Sequence, residues 1–222
     1  MWAFNPTFVI PKDFKTNMEE IAALSSKTPF LTLRHPLARK VLREAQRISK
    51  TVSTDILNQE FYRARPITTS RVIDEFLAPP ASMCFEGRYN HAGRPVLYLS
   101  SSAKVAHAEI GKSEEGCLVA TLTIAKPQKV LDLTNEELPS DILQAITASA
   151  LLSAPTTKEG WEKPEYTFSR FVADCAINVG FTVLKYPSVA QPDGFNLVVF
   201  PSDYQWKDVA VIGEINEFHP KK

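Results

Sequence analysis

The chain has 222 residues, 44% of them hydrophobic, which is enough to bury a core and excludes the disordered and fibrous classes of protein. Lysine plus arginine and aspartate plus glutamate number 25 each, so no long-range field favours nucleic acid or an anionic membrane. No stretch reaches the roughly 20 apolar residues of a membrane span, and the start, MWAFNPTFVIPKDFK, lacks the basic and apolar regions of a signal peptide. We therefore expect a cytoplasmic protein that neither spans a membrane nor binds nucleic acid directly.

The N-terminal part of the chain has two helical segments. Residues 13–25 are weakly helical in pattern, and from Pro36 the apolar residues recur at helical intervals. This apolar stripe consists of Leu37, Val41, Ala45, Ile48 and Val52. The opposite face is basic and carries Arg39, Lys40, Arg43, Arg47 and Lys50. We interpret the basic face as solvated, with contact to an acidic partner or nucleic acid as the alternative.

From residue 56 onward, strand patterns alternate with helical ones. The predicted strands are FYRAR, 95–100, 117–125, 129–133, 181–186, 195–200 and 208–213. The predicted helices are 138–153 and 165–179, with a loop between them. The fold class is therefore α+β, without an internal repeat.

The three cysteines, Cys84, Cys117 and Cys175, are far apart in the sequence and lack CxxC spacing. That distribution indicates neither a zinc site nor a disulfide framework. We predict buried free thiols.

Residues 84–109, CFEGRYNHAGRPVLYLSSSAKVAHAE, concentrate polar groups around one short strand. Gly87 and Gly93 bracket Arg88, and glycine permits close backbone approach or positive φ. Along PVLYLS, Tyr98 faces away from the leucines, so it lies on the surface opposite to theirs if they face the core. The following serines suit a helix N-cap, and Glu109 lies about two turns into that helix.

A second polar stretch, FTVLKYPSVAQPDGFNLVVF, places Ser188 at a strand end and Asn196 at the start of the next strand. Taken singly, these side chains have ordinary explanations. Glu109 suits an exposed helix position, Arg88 a surface ion pair and Ser188 a turn.

The order FYRAR, GRYNHAGRPVLYLS, AHAE and YPS…GFNLVVF, over about residues 60–205, resembles the RES domain, which is named for its Arg, Glu and Ser. RES domains are toxins of bacterial toxin–antitoxin pairs that degrade NAD⁺, with a fold similar to that of the diphtheria-toxin type of ADP-ribosyltransferase. The resemblance implies an ADP-ribosyltransferase-like mixed β core with flanking helices in residues 56–222. Residues 1–55 lie outside this pattern, and we expect them to form a helical extension. That extension packs on the domain or contributes to an oligomer or antitoxin contact.

By resemblance, the functional positions are Arg88, Tyr98, Glu109 and Ser188. Cleavage of the nicotinamide–ribose bond builds positive charge on the sugar, which a fixed carboxylate at Glu109 would stabilise. Arg88 suits the diphosphate, Tyr98 the nicotinamide or ribose ring, and Ser188 a ribose hydroxyl or phosphate.

Two further residues are assigned to the NAD⁺ site. Arg63 is either a second diphosphate contact or a structural ion-pair partner, and Asn196 is expected to contact the nucleotide. His91 and His107 are expected on the surface or a helix face, without the partner of a catalytic histidine. The nicotinamide of NAD⁺ is already a pyridinium, so no metal is needed.

The predicted function is therefore NAD⁺ consumption by a glycohydrolase or phosphorylase, with NAD⁺ as substrate. Transfer of ADP-ribose to a protein, and a non-catalytic nucleotide-binding or partner-binding module, are the alternatives. An antitoxin and a second copy of the chain are the candidate protein partners.

Overall fold

A computed structural model describes most of the chain. The described residues are 13–51, 56–111, 115–134, 166–191 and 193–220. The predicted helix 138–153 and most of the loop after it lie outside this range.

The described residues include five α-helices. Their bounds are α1 Phe14–Lys27, α2 Pro36–Ser49, α3 Ala103–Glu109, α4 Thr167–Asn178 and α5 Trp206–Val209. Three short 3₁₀ helices span Pro29–Arg34, Ile73–Phe76 and Ala81–Met83. The helices predicted at 13–25, from Pro36 and at 165–179 correspond to α1, α2 and α4.

The described strands form one seven-stranded mixed sheet. Their bounds are β1 Glu60–Pro66, β2 Leu97–Ser100, β3 Cys117–Ile124, β4 Val130–Asp132, β5 Val183–Pro187, β6 Phe195–Val199 and β7 Ala210–Phe218. The spatial order is β4-β5-β6-β2-β1-β3-β7, with β4 and β5 parallel and the other neighbours antiparallel. The α+β class predicted from the sequence is confirmed.

The two faces of the sheet support separate hydrophobic clusters, as the alternation along β2 predicts. Leu97 and Leu99 are fully buried in the cluster beneath one face, whereas Val96 and Tyr98 belong to the cluster on the other. That second cluster lies between the sheet and the helices α1, α2 and α4. The polar cleft described below therefore opens on the helix-bearing side of β2.

Most of the predicted apolar stripe is buried in α2, while Leu37 is partly buried and Val52 lies outside the described residues. Val41, Ala45 and Ile48 are at most 2% exposed, and α2 contacts α4, as does α1. Phe14 of α1 meets Phe168 of α4 edge-on, with ring centroids 6.4 Å apart. The basic residues of α2 lie on its exposed face, as expected of an amphipathic helix.

Cys84, Cys117 and Cys175 are free and buried, as predicted. Burial raises the pKa of each thiol, in the case of Cys175 to about 12. These groups are therefore thiols rather than reactive thiolates at neutral pH. None of the helices in the described ranges combines the length and apolar character needed to cross a bilayer.

Candidate active site

The two polar stretches of the sequence meet at a cleft of about 320 Å³ beside β1, β2 and β6. Strand register explains the convergence, since Ser100 at the end of β2 pairs with Asn196 of β6. The chain then enters α3, whose last residue is Glu109. Of the residues predicted from the sequence, the cleft is lined by Arg63, Arg88, Tyr98, Glu109 and Asn196.

The Glu109 carboxylate is held in place by two side-chain donors. The hydroxyl of Ser188 donates to Oε1 over 2.6 Å, and the amide of Asn196 donates to the same oxygen over 2.7 Å. Both donors are at most 3% exposed, whereas Glu109 itself is exposed. The two buried donors thus fix the carboxylate, while its exposed side is open to the cleft. This is the arrangement of a preorganised negative charge.

The side-chain amide of Asn196 is itself oriented by β2. Ser100 donates its hydroxyl to the Asn196 Oδ1 over 2.7 Å, so that the amide nitrogen points towards Glu109. Ser100 and Asn196 are 6% and 3% exposed, so this network is shielded from water and strengthened accordingly.

Ser188 is buried beside Glu109 and is not among the residues that line the cleft. It is 1% exposed, and its hydroxyl donates to Glu109 while accepting from the backbone N–H of Gln191 over 3.0 Å. Its backbone N–H donates to the carbonyl of Gly194 over 2.9 Å. A Cβ at Gly194 would clash with Val105 of α3, so this glycine lets the Ser188 loop approach that helix.

Arg88 projects from a tight turn in which Gly87 N–H donates to the Asn90 carbonyl over 3.0 Å. A Cβ at Gly87 would collide with the Asn90 side chain and the Tyr98 hydroxyl, so glycine is required by close approach. The guanidinium of Arg88 lies 4.8 Å from the ring centroid of Tyr166, in a cation–π arrangement. This contact orients a positive charge at the rim of the cleft.

Tyr98 contributes its ring to the cleft wall and its hydroxyl to the Arg88 turn. The hydroxyl donates to Asn90 Oδ1 over 2.9 Å and accepts from the Tyr89 N–H over 3.1 Å. Burial raises the pKa of the Tyr98 phenol, which therefore stays protonated at neutral pH. The residue fits a stacking surface better than a proton carrier.

Arg63 on β1 also faces the cleft. One of its terminal nitrogens donates to the Tyr98 carbonyl over 2.9 Å, while the Nε is buried without a hydrogen-bond partner in the described part of the chain. Burial, followed by the nearby charge of Arg65, lowers the pKa of Arg63 to about 9, so it is still a cation at neutral pH. The same end of β1 thus offers two positive charges, Arg63 and Arg65, to one cleft.

Three aromatic residues of the cleft, Tyr62, Tyr166 and Tyr186, received no role from the sequence. Tyr186 lies on β5, two positions before Ser188 in the sequence. Its ring centroid is 4.6 Å from that of Tyr89. In the sequence YPS, Tyr186 is two positions before Ser188, so the alternation of side chains along a strand could have indicated that Tyr186 belongs to the same site. Tyr166 directly precedes α4 and carries no local sequence signal of its position.

The expectations for the two histidines are correct in part, since the His91 side chain is 44% exposed and His107 lies on α3, but two points were wrong. His91 has a partner, since its Nε2 lies 2.8 Å from a carboxylate oxygen of Asp174 on α4. His107 is 5% exposed and packs against Phe218, with ring centroids 5.4 Å apart. Both contacts join segments distant in sequence, which local patterns do not reveal. No cluster of three or more metal-binding side chains occurs among the described residues.

Comparison with protein-family models matches residues 60–218 to the RES domain. The chain belongs to the RES domain family. Among solved structures, a chain of the Mycobacterium tuberculosis MbcT–MbcA toxin–antitoxin complex is similar, with 14% sequence identity and a TM-score of 0.51. The match covers 81% of this chain and 92% of that one, and it shows a shared fold. A comparison with curated proteins gave no significant match.

Proposed function

We propose that this RES domain protein consumes NAD⁺ by cleaving the bond between nicotinamide and ribose, with water or inorganic phosphate as acceptor. The observation that carries the proposal is the fixed Glu109 carboxylate, held by Ser188 and Asn196 at 2.6 and 2.7 Å and open to a cleft with an arginine-rich wall. The family membership of the chain supports the same reaction.

The chemistry of the bond explains why a carboxylate is the central group. Departure of nicotinamide leaves a sugar with oxocarbenium character, so a nearby negative charge lowers the barrier. The leaving group departs neutral, since the nicotinamide nitrogen of NAD⁺ already carries the positive charge. In this proposal Glu109 acts electrostatically on the sugar and, once the bond breaks, orients the acceptor.

The cationic wall supplies the binding energy for the diphosphate. Arg88 is the first contact, because its guanidinium is already oriented over Tyr166 and presents a planar fork to phosphate oxygens. Arg63 is the second, because it lines the cleft and a diphosphate there would compensate the cost of burying its charge. In this proposal the rings of Tyr98 and Tyr186, which line the same cleft, stack on the nicotinamide or ribose.

We also propose that the chain is the toxin of a toxin–antitoxin pair. The similar fold in the MbcT–MbcA toxin–antitoxin complex supports this role, and so does the family match. The antitoxin is then a protein partner in addition to NAD⁺.

The test is incubation of the purified protein with NAD⁺ labelled in the ADP-ribose part, with and without inorganic phosphate. Release of nicotinamide together with free ADP-ribose is expected of a glycohydrolase, and phosphate-dependent release with phosphorylated ADP-ribose is expected of a phosphorylase. Label transferred to protein would indicate an ADP-ribosyltransferase instead. Nucleotide binding without release of nicotinamide would overturn the enzymatic proposal and favour a binding module.

A further inference from the structure

The turn that carries Arg88 is a closed loop of residues 84–94, here called the Arg88 turn. Its ends are joined by the Gly93 N–H donating to the Cys84 carbonyl over 2.9 Å. Inside it, the Asn90 side-chain amide donates to the Phe85 carbonyl over 2.9 Å. These bonds define the shape of the turn, but they do not fix where the turn lies relative to the cleft.

Three residues of α4 contact the Arg88 turn. The hydroxyl of Ser169 donates to the Arg88 carbonyl over 2.5 Å. Arg170 lies 3.4 Å from the carboxylate of Glu86. Further along the helix, Asp174 reaches the last part of the turn.

Asp174 is the member of this set that bridges two residues of the turn. One carboxylate oxygen lies 2.8 Å from His91 Nε2, and the other accepts from Arg94 over 3.3 Å. Each oxygen of the Asp174 carboxylate therefore contacts one of the two residues. A single carboxylate on a rigid helix therefore fixes the segment that follows Arg88.

A cavity of about 460 Å³ adjoins these contacts. Its walls include Glu86, His91, Arg170 and Asp174 on one side, and Leu33 and Leu42 of the N-terminal segment on another. Atoms beside a cavity lack packing partners on that side. The Arg88 turn is held on one side by the buried Tyr89 and its bonds to the Tyr98 hydroxyl, and beside this cavity by its polar contacts with α4.

We propose that Asp174 is a positioning residue for NAD⁺ binding: through His91 and Arg94 it holds the Arg88 turn so that Arg88 meets the diphosphate. The role rests on the proposed function of the cleft. Exposed ion pairs add little to the free energy of unfolding, and the side chains of Asp174 and His91 are 42% and 44% exposed. The effect of Asp174 on binding is larger because a small misplacement of a binding group weakens its contact with the substrate.

The test compares Asp174→Ala and Asp174→Asn with a matched control, Glu217→Ala. Glu217 also bridges an arginine and a histidine, Arg71 and His219, and its side chain is 47% exposed. It lies on β7, away from the Arg88 turn. Each variant is assayed for KM and kcat with NAD⁺ and for amide hydrogen exchange at Gly87 and Gly93.

For Asp174→Ala we expect a KM for NAD⁺ raised roughly 3- to 10-fold and a kcat within about 2-fold of wild type, because a binding contact is loosened while the carboxylate chemistry is kept. Exchange at Gly87 and Gly93 should accelerate. Asp174→Asn keeps an oxygen acceptor and should fall between Asp174→Ala and wild type. Glu217→Ala should match wild type in all three measurements.

An unchanged KM in an Asp174→Ala protein that cleaves NAD⁺ would overturn the positioning role alone. An equal rise in KM for Glu217→Ala would also overturn it, because the effect would then follow from removing any surface carboxylate. A wild-type protein that neither binds nor cleaves NAD⁺ would instead overturn the proposed function, and the positioning role with it.

Discussion

Glu109 depends on neighbours that come from three different parts of the chain. Its donors, Ser188 and Asn196, flank the loop between β5 and β6, and Ser100 orients Asn196 from the end of β2. A carboxylate held by buried donors needs little reorganisation when charge develops on a substrate, which is why its neighbours are expected to affect kcat more than KM.

Replacing Ser188 with alanine should therefore lower kcat while leaving NAD⁺ affinity nearly unchanged. The change removes one hydrogen bond to a charged group and frees the carboxylate to rotate, and the expected loss is roughly 10- to 100-fold. Ser101→Ala is the matched control, since the Ser101 hydroxyl accepts from the Phe195 N–H at the start of β6. Steady-state kinetics would give kcat and KM for both variants. Equal kcat values for the two would refute the positioning of Glu109 by Ser188.

The substitution Tyr98→Phe distinguishes the contribution of the Tyr98 ring from that of its hydroxyl. The ring remains available for stacking, whereas the bonds to Asn90 and to the Tyr89 N–H are lost and the Arg88 turn loosens. We expect KM for NAD⁺ to rise a few-fold and kcat to stay within about 3-fold of wild type, because the protonated phenol takes no part in proton transfer. Tyr62→Phe, on the same cleft, is the control. A 100-fold loss of kcat would show that the phenol acts in the chemistry.

At the scale of elements, local sequence pattern identified most of the architecture. The alternation along β2 separated Leu97 and Leu99 from Tyr98, and the helical spacing of Val41, Ala45 and Ile48 marked the buried face of α2. These features are local, so a single stretch of sequence contains the information. The pairing of β2 with β6 and the attachment of the Arg88 turn to α4 join segments about 80 to 100 residues apart, and no local pattern encodes them.

The difference between local patterns and contacts of the folded chain also applies to individual residues of the cleft. Arg63, Arg88, Tyr98, Glu109 and Asn196 were predicted because they stand in motifs that resemble a known family. The same resemblance gave Ser188 a ligand contact, which stays a prediction, and the fold shows that its hydroxyl bonds to Glu109 and Gln191. These partners and the burial of Ser188 are properties of the folded chain.

The α2 helix should contribute substantially to stability through its apolar face. Ile48 is completely buried, so Ile48→Ala should lower the free energy of unfolding by about 2–5 kcal/mol. Ile177→Ala on α4 is the control. Because the Ile177 side chain is 38% exposed, this substitution should lower the free energy of unfolding much less. Denaturant unfolding of the full-length variants provides the measurement, and similar losses at the two positions would contradict the packing of α2 on the core.

On the scale of the whole molecule, the N-terminal helices share a core with the RES domain. The family match begins at residue 60, yet Phe14, Ile21 and Ile48 lie in the same hydrophobic cluster as α4. We propose that residues 1–55 are a helical addition to a domain formed by residues 56–222. The helix against which α1 and α2 pack, α4, is also the one that contacts the Arg88 turn.

If the cleft cleaves NAD⁺ with the help of the Glu109 charge, the variant Glu109→Gln should lose most of its activity. Glutamine keeps the size of the side chain and an oxygen for Ser188 and Asn196, but it removes the negative charge that the developing sugar cation needs. NAD⁺ binding should survive, because the charge acts mainly in the transition state.

The decisive measurement is the rate of nicotinamide release from saturating NAD⁺ by the wild-type and Glu109→Gln proteins, with folding and NAD⁺ affinity checked in parallel. We expect steady release by the wild type and a rate lower by about 10²–10³ for the variant. Equal rates in two folded proteins, or no release by the wild type, would contradict the account.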